Sequence, residues 1–433
     1  MSDIKRQLNQ LKSKSSAGSG DRTDLKSKLN RVYHKGSNGE RFFPEEQVVR
    51  AHKRLEELVP GAYINTPFGD IYRARTTFPL SYLQGNSQLA HIRRVTPERL
   101  IHLGRLDPDT DLDIGRLLFL DTEASGLSGG TGTYAFMIGV GYFSGEDFVV
   151  DQLFVENYVK EEGMLDLLRV YLEDISCLVT FNGKSFDTSL LQTRYLMHGQ
   201  ESPFEEIPHL DLLHPCRNLW DLSVENCKLQ TLEREILEFI REEDTPGAEV
   251  PGIYFDFIRT GDPTEIAGVF QHNVLDIVSL VAITTVLEQN FQGSIRIPNE
   301  NGLTKFSRGK IYERQKQYES ALEWYQAALE DELSGSRRQI IMGRMAALLK
   351  KQGKWDAALP LWKNQISEPL FVLEPFVELA KYFEHHSGEF RKALQYTQSA
   401  LDQLPQHRVD DRQELLHRLA RLEKKMERTD ASA

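Results

Sequence analysis

Apolar residues fall into short contiguous blocks in the middle of the chain and into a helical period towards its end. Arg116–Leu120 (RLLFL) is apolar at successive positions and too short for a helix, so it predicts a buried strand; Asp121 and Glu123 follow it directly. Phe136–Phe143 and Phe148–Phe154 predict the next two strands, Gly163–Leu172 a helix, and Cys177–Phe181 (CLVTF) another buried strand. Ile266–Leu287 carries a long apolar period and predicts a helix. A meander of strands followed by alternation with helices predicts a mixed α/β sheet flanked by helices. Upstream, Pro44–Leu58 reads as an amphipathic helix, and Thr66–Leu83 has the alternation of short strands.

Beyond Pro298 the pattern becomes entirely helical and repeats itself. Gln317–Leu322 (QYESAL) is echoed by Lys354–Leu359 (KWDAAL) and by Glu389–Leu394 (EFRKAL). The alanines at 321, 358 and 393 are 37 and 35 residues apart, close to the roughly 34-residue period of tetratricopeptide repeats. Gly309, Tyr312, Tyr318, Ala321, Tyr325 and Ala328 place small and aromatic residues where such helices interlock. Stacked helix pairs of this kind form a curved surface, either to bind a protein partner or to support the neighbouring domain.

A chain of 433 residues with 40% hydrophobic and 27% charged content divides into two or three globular domains. The expected divisions are a basic tail at 1–36, an accessory α+β region at 37–110, an α/β domain at 111–292 and the helical repeats at 300–433. The tail, with nine Lys or Arg and three Asp up to Lys35, reads either as a solvated segment or as an electrostatic arm for a polyanion. Net charge is −12, so any nucleic-acid contact has to come from a local patch. The longest apolar run, near Tyr134–Phe143, is short and glycine-interrupted, so no membrane partner is expected. An export signal is not expected, and Cys177, Cys216 and Cys227 lack metal-ligand spacing, which fits a reducing cytoplasm.

Three short segments carry candidate chemistry. Residues i and i+2 of a strand share a face, so Asp121 and Glu123 converge at the strand end. Like charges held that close repel unless a cation lies between them. Phe181–Asp187 (FNGKSFD) follows a strand and opens a helix; there Asp187 is either a helix cap or a ligand. His272 and Asp276 stand at i and i+4 on one helix face, either as an ordinary ion pair or as a base beside a metal ligand. The glycine-rich Ser125–Thr133 lacks the Gly-Lys-Ser/Thr of a P-loop and reads as a turn beside the acids.

Taken in order, Asp-x-Glu, Asn-Gly-x-x-Phe-Asp and His-x-x-x-Asp resemble the DEDD superfamily of 3′→5′ exonucleases, whose fold is RNase H-like. The stretch Asn226–Glu233 (NCKLQTLE), Asp244–Gly247 (DTPG), Val250-Pro251 and Arg259–Pro263 (RTGDP) is similar to the YprB-like branch of that superfamily, which includes bacterial mitomycin repair factors. The resemblance implies two divalent ions, Mg²⁺ or Mn²⁺. Asp121 would bridge them, Glu123 and Asp276 would complete the first site, and Asp187 would hold the second. It implies His272 as general base, Leu127 as a wedge against the terminal base, and Asn182 and Phe186 as contacts to the terminal sugar. Histidine-type members place His five residues before the last Asp and tyrosine-type members place Tyr four before; His272 takes the four-residue spacing.

The function so implied is a metal-dependent 3′→5′ exonuclease, with DNA preferred to RNA and a role in DNA repair. The alternatives are an RNase acting on short RNA and a non-catalytic nucleic-acid or protein scaffold. The repeats suggest a protein partner, of which a helicase feeding single strands to the site is one.

Overall fold

The computed structural model describes residues 53–126, 132–293 and 300–430, all within one compact unit that starts at Lys53. The basic tail, most of the expected Pro44–Leu58 helix and Leu127 lie outside the described residues.

Seven strands form one sheet: β1 (Gly61–Thr66), β2 (Gly69–Pro79), β3 (Leu117–Ala124), β4 (Ala135–Ser144), β5 (Asp147–Phe154), β6 (Cys177–Thr180) and β7 (His209–Asp211). Their spatial order is β1-β2-β5-β4-β3-β6-β7. The run from β1 to β3 pairs antiparallel, and β6 and β7 then add in parallel beside β3. The sheet is mixed, as the pattern of strands and helices predicts. Of the two strands of the upstream region, β2 pairs onto β5, with Tyr72 opposite Phe154, and β1 pairs onto β2, so both extend this same sheet.

The helices are α1 (Pro97–Gly104), α2 (Glu161–Leu172), α3 (Asp187–Met197), α4 (Leu213–Trp220), α5 (Leu229–Glu235), α6 (Val250–Thr260) and α7 (Ile266–Gln292). Strand alternation explains how they divide between the two faces of the sheet. Leu117 and Phe119 of β3 point into a cluster with Ile277, Val281 and Leu287 of α7 and Trp220 of α4. Leu118 and Leu120 point the other way, onto Met164, Leu165 and Leu168 of α2 and Leu191 of α3. Among the described residues, α7 alone is long and apolar enough to cross a membrane. It runs through the protein instead, with every residue from Ile277 to Glu288 buried. Apolarity on all sides is what a helix walled in by protein requires.

The C-terminal part is all helical: α8 (Gly302–Arg314), α9 (Tyr318–Leu329), α10 (Gly335–Lys351), α11 (Trp355–Ser367), α12 (Leu373–His385), α13 (Phe390–Gln403) and α14 (Val409–Asp430). Ala321, Ala358 and Ala393 are fully buried, each near the start of the second helix of a pair. A side chain at Gly309 would meet the Tyr325 ring at 2.5 Å, so α8 and α9 touch through that glycine. The helices dock on the sheet domain where Phe291 of α7 stacks on Tyr312 (4.9 Å between ring centres) and Ser223 shares a 2.7 Å hydrogen bond with Thr304.

Candidate active site

Asp121 and Glu123 continue the odd-numbered face of β3, the face that α7 covers. That helix lies unusually close. A Cβ at Gly139, the β4 partner of Asp121, would sit 2.2 Å from Asn273 Oδ1 and 2.4 Å from Ile277 Cδ1. The bare backbone at 139 lets Asn273 reach the sheet, where its Nδ2 donates to Asp121 Oδ2 (2.8 Å). Gln152 on β5 fixes the amide by donating to Asn273 Oδ1 (2.9 Å) and to the Phe270 carbonyl (2.8 Å). One carboxylate oxygen is thereby committed and its orientation set.

Asp187 arrives from the other face. Asn182 adopts a left-handed conformation (φ 64°), and the buried Asp211 of β7 accepts from the backbone N–H groups of Asn182 (2.8 Å) and Lys184 (3.1 Å). This pinned turn delivers the first residue of α3 to the end of β3. There Asp187 Oδ1 accepts from Thr122 N (3.1 Å) and Thr122 Oγ1 (2.5 Å). The alternative of a helix cap gives way: Phe186 occupies the cap position, and the Asp187 carboxylate is turned to the strand.

The third element is one face of α7. Nδ1 of His272 lies 2.7 Å from Asp244 Oδ1, while Nε2 lies 3.6 Å from Asp276 Oδ2 and 3.9 Å from Glu123 Oε1. Nδ1 lies between the Asp244 carboxylate and the Arg241 guanidinium (3.3 Å), so Nε2 is the ring nitrogen turned to Glu123 and Asp276. Arg241, with its side chain 5% exposed, spans the group. It holds the 1%-exposed Glu233 through two bonds (2.8 and 2.6 Å), contacts Asp244 (3.3 Å) and is hydrogen-bonded to Asp276 Oδ1.

Electrostatics follow from this crowding. Burial raises the Asp121 carboxyl well above the ordinary range, and Asp276, Asp187 and Glu123 raise it further. Glu123 is raised in the same way, by burial and then by Asp276, Asp187 and Asp244. Burial also lifts Asp187 to about 6, against the pull of the Thr122 bonds. The acids thus form one mutually repelling set, and full ionisation calls for more positive charge than Arg241 supplies. The donors are oxygens, which suits a hard cation. Among the described residues, no three acidic, His or Cys side chains already converge as a finished metal cage. Magnesium does not need one, because it keeps several waters and is held by one or two carboxylates plus substrate phosphate.

Two of the acids, Glu123 and Asp187, line a cleft of about 530 Å³ together with Thr122, Gly126, Phe186 and Pro251, among others. Phe186 is 57% exposed at its wall. Asn182 contributes through its backbone turn and is not among the lining residues.

Comparison with known proteins adds what geometry alone leaves open. Residues 118–288 match the RNase H superfamily, a span that holds all eight of the site residues proposed from sequence. Over 314 residues the chain is 31% identical to the "Uncharacterized protein YprB" of Bacillus subtilis (strain 168), covering 71% of this chain and 75% of that protein. The chain belongs to the YprB-like branch of the RNase H superfamily. Its sheet domain is therefore of the nuclease type, and nucleic acid is the substrate class that such a domain implies.

Sequence reasoning about this YprB-like chain passed over Thr122, Glu233, Arg241, Asp244 and Asn273. Asp244 sits in the quoted Asp-Thr-Pro-Gly segment, and Glu233 closes the Asn226–Glu233 segment. Asn273 lies between the two α7 residues singled out. Nothing in spacing marks Arg241, which lies in an ordinary charged run, Arg-Glu-Glu-Asp.

Proposed function

We propose that the chain is a metal-dependent 3′→5′ exonuclease, with DNA as its preferred substrate and DNA repair in the cytoplasm as its setting. One observation carries the reading. Four carboxylates from three separate elements lie close enough to repel one another, two of them (Glu123 and Asp187) in the wall of one cleft, and burial together with that repulsion holds Asp121 and Glu123 above their ordinary pKa. A cluster kept at that cost is more readily understood as chemistry than as scaffold.

Asp121, Glu123, Asp187 and Asp276 are the residues that would hold two divalent ions. Such ions, when bound, stabilise charge on the entering and leaving oxygens of a phosphodiester. Asn273 and Thr122 hold Asp121 and Asp187 in place. Asp244 keeps the His272 ring turned so that Nε2 can take a proton from water. Phe186 offers a ring at the cleft wall against which a terminal nucleotide can rest. The C-terminal helices are the proposed surface for a protein partner, a helicase among the candidates; blunt-duplex degradation left unchanged by an added helicase would remove that part.

The test is degradation of DNA and RNA oligonucleotides labelled at either end, by wild type and Asp276→Ala, in Mg²⁺, Mn²⁺ and EDTA. A metal-dependent ladder from the 3′ end, absent in the variant, is expected. Equal rates on both polymers would remove the DNA preference, and no cleavage by folded protein would favour the scaffold.

A further inference from the structure

Away from the acids, the seam between the sheet domain and the C-terminal helices holds a second concave surface. One hollow of about 300 Å³ is lined by Arg105 just past α1, by Pro215 and Asn218 of α4 and by Arg314 of α8. A second, of about 410 Å³, is lined by Arg217, Asn218, Asp221, Lys310, Arg314 and Arg344. Asn218 and Arg314 belong to both, so the two form one groove.

Its charge runs against that of the whole chain. Five cations line the groove with one acid, Asp221, in a protein of net charge −12. Arg344 is paired with Glu313 (2.9 Å). Arg314 donates to the neutral amide oxygen of Asn218 (3.2 Å), which leaves its charge uncompensated by that bond. The crowding is felt by its members: burial and the neighbouring Arg344, Arg314 and Arg337 lower the pKa of Lys310, and the partial desolvation of a side chain that still reaches the surface, followed by Arg105, lowers that of Arg314. A bound polyanion would relieve this repulsion, and spaced guanidinium groups are well matched to successive phosphates.

Position relates the groove to the site. Asp276 and Phe291 are 15 residues apart on α7, about 22 Å at 1.5 Å per residue. Phe291 stacks on Tyr312, two residues before Arg314. At about 3.4 Å per nucleotide, that distance is on the order of six nucleotides.

We propose that this groove binds the phosphodiester backbone of the nucleic acid whose end lies in the cleft, several nucleotides from the scissile bond. The proposal rests on the nuclease reading above and can be tested separately from it. Binding of fluorescein-labelled 20-nucleotide DNA and RNA to the full chain is followed by anisotropy in EDTA across a salt series. Wild type is compared with Arg217→Glu/Arg314→Glu and with the milder Arg217→Gln/Arg314→Gln; both arginines are exposed, and folding is checked by circular dichroism. The expected result is binding weakened about tenfold at moderate salt, with the salt slope reduced by about two, because two phosphate contacts are lost. In Mn²⁺ the same variants are expected to lose kcat/KM on the 20-mer while cleaving a trinucleotide at the wild-type rate. Wild-type affinity and salt slope in both folded variants would overturn the proposal, and would leave an acidic protein as the occupant to test. Weakened binding without cleavage by any form would uphold the groove and sink the nuclease reading. A loss confined to DNA or to RNA would identify which backbone the groove takes.

Discussion

Replacing Arg241 by Met separates structural support from positioning at the active site. Arg241 and Glu233 are both buried and joined by two bonds, and Glu233 already lies above the ordinary carboxyl range because burial outweighs the pull of Arg241. Removing the guanidinium leaves a buried carboxylate without its cation, which costs about 3–5 kcal/mol when one partner of a buried pair is deleted. The lower end is expected, because Glu233 can accept a proton. Its folded-state pKa would then lie further above the unfolded value, so the folded state would hold the extra proton. Stability of the variant should therefore be greater at pH 5 than at pH 8, lost as pH rises through that range. Urea denaturation at the two pH values measures this. The companion Glu233→Leu/Arg241→Met removes both charges and is expected to regain all but about 1 kcal/mol. If Arg241 only supports the fold, the double variant also regains nuclease activity. If it also sets Asp276 and Asp244, stability returns and kcat does not. A loss below about 1 kcal/mol in Arg241→Met at pH 8 would refute the argument from burial.

Other consequences follow from the same geometry. Gly139→Ala drives a methyl into Asn273 and Ile277 and should cost about 1–3 kcal/mol together with most activity, whereas Gly252→Ala, where a Cβ meets nothing within 4 Å, should be neutral or slightly stabilising; thermal melts of the two distinguish close packing from a general intolerance of glycine replacement. Asp244→Asn keeps its shape but withdraws the negative charge beside His272 Nδ1, so single-turnover cleavage should slow by about 10²-fold with little change in substrate binding; an unchanged rate would remove His272 as base. Asp121→Asn should stabilise the metal-free protein by about 1 kcal/mol or more at pH 8, because the raised pKa means that its charge opposes folding, while abolishing stabilisation by Mn²⁺; melting in EDTA and in Mn²⁺ checks both halves. Asp187, raised to about 6, should add to the stability that metal-free wild type loses as pH rises from about 4 to 6, so that loss should be smaller in Asp187→Asn, with the part due to Asp121 and Glu123 remaining.

Much of this protein is local and therefore legible in the sequence. The apolar block ending at Leu120 specifies a buried strand, and the period-two rule places Asp121 and Glu123 on one face whatever surrounds them. His272 and Asp276 share a helix face for an equally local reason. The burial of the alanines at 321, 358 and 393 follows from a pattern that any reader of the chain can count. What tertiary structure decided is which distant residues meet. It brought β1 and β2 onto the sheet, turned Asp187 onto Thr122 rather than onto its own helix end, and chose Arg241 and Asp244 from a run in which every residue is charged. Gly139 reads as a plain strand glycine until α7 is laid against it, and the cations of the groove lie at 105, 217, 310, 314 and 344, on elements that only packing makes neighbours. Propensity and periodicity act over a few residues, whereas charge compensation and close approach act through space. The sequence therefore determined the parts and the acids they carry, and the packing determined which cations and amides hold them.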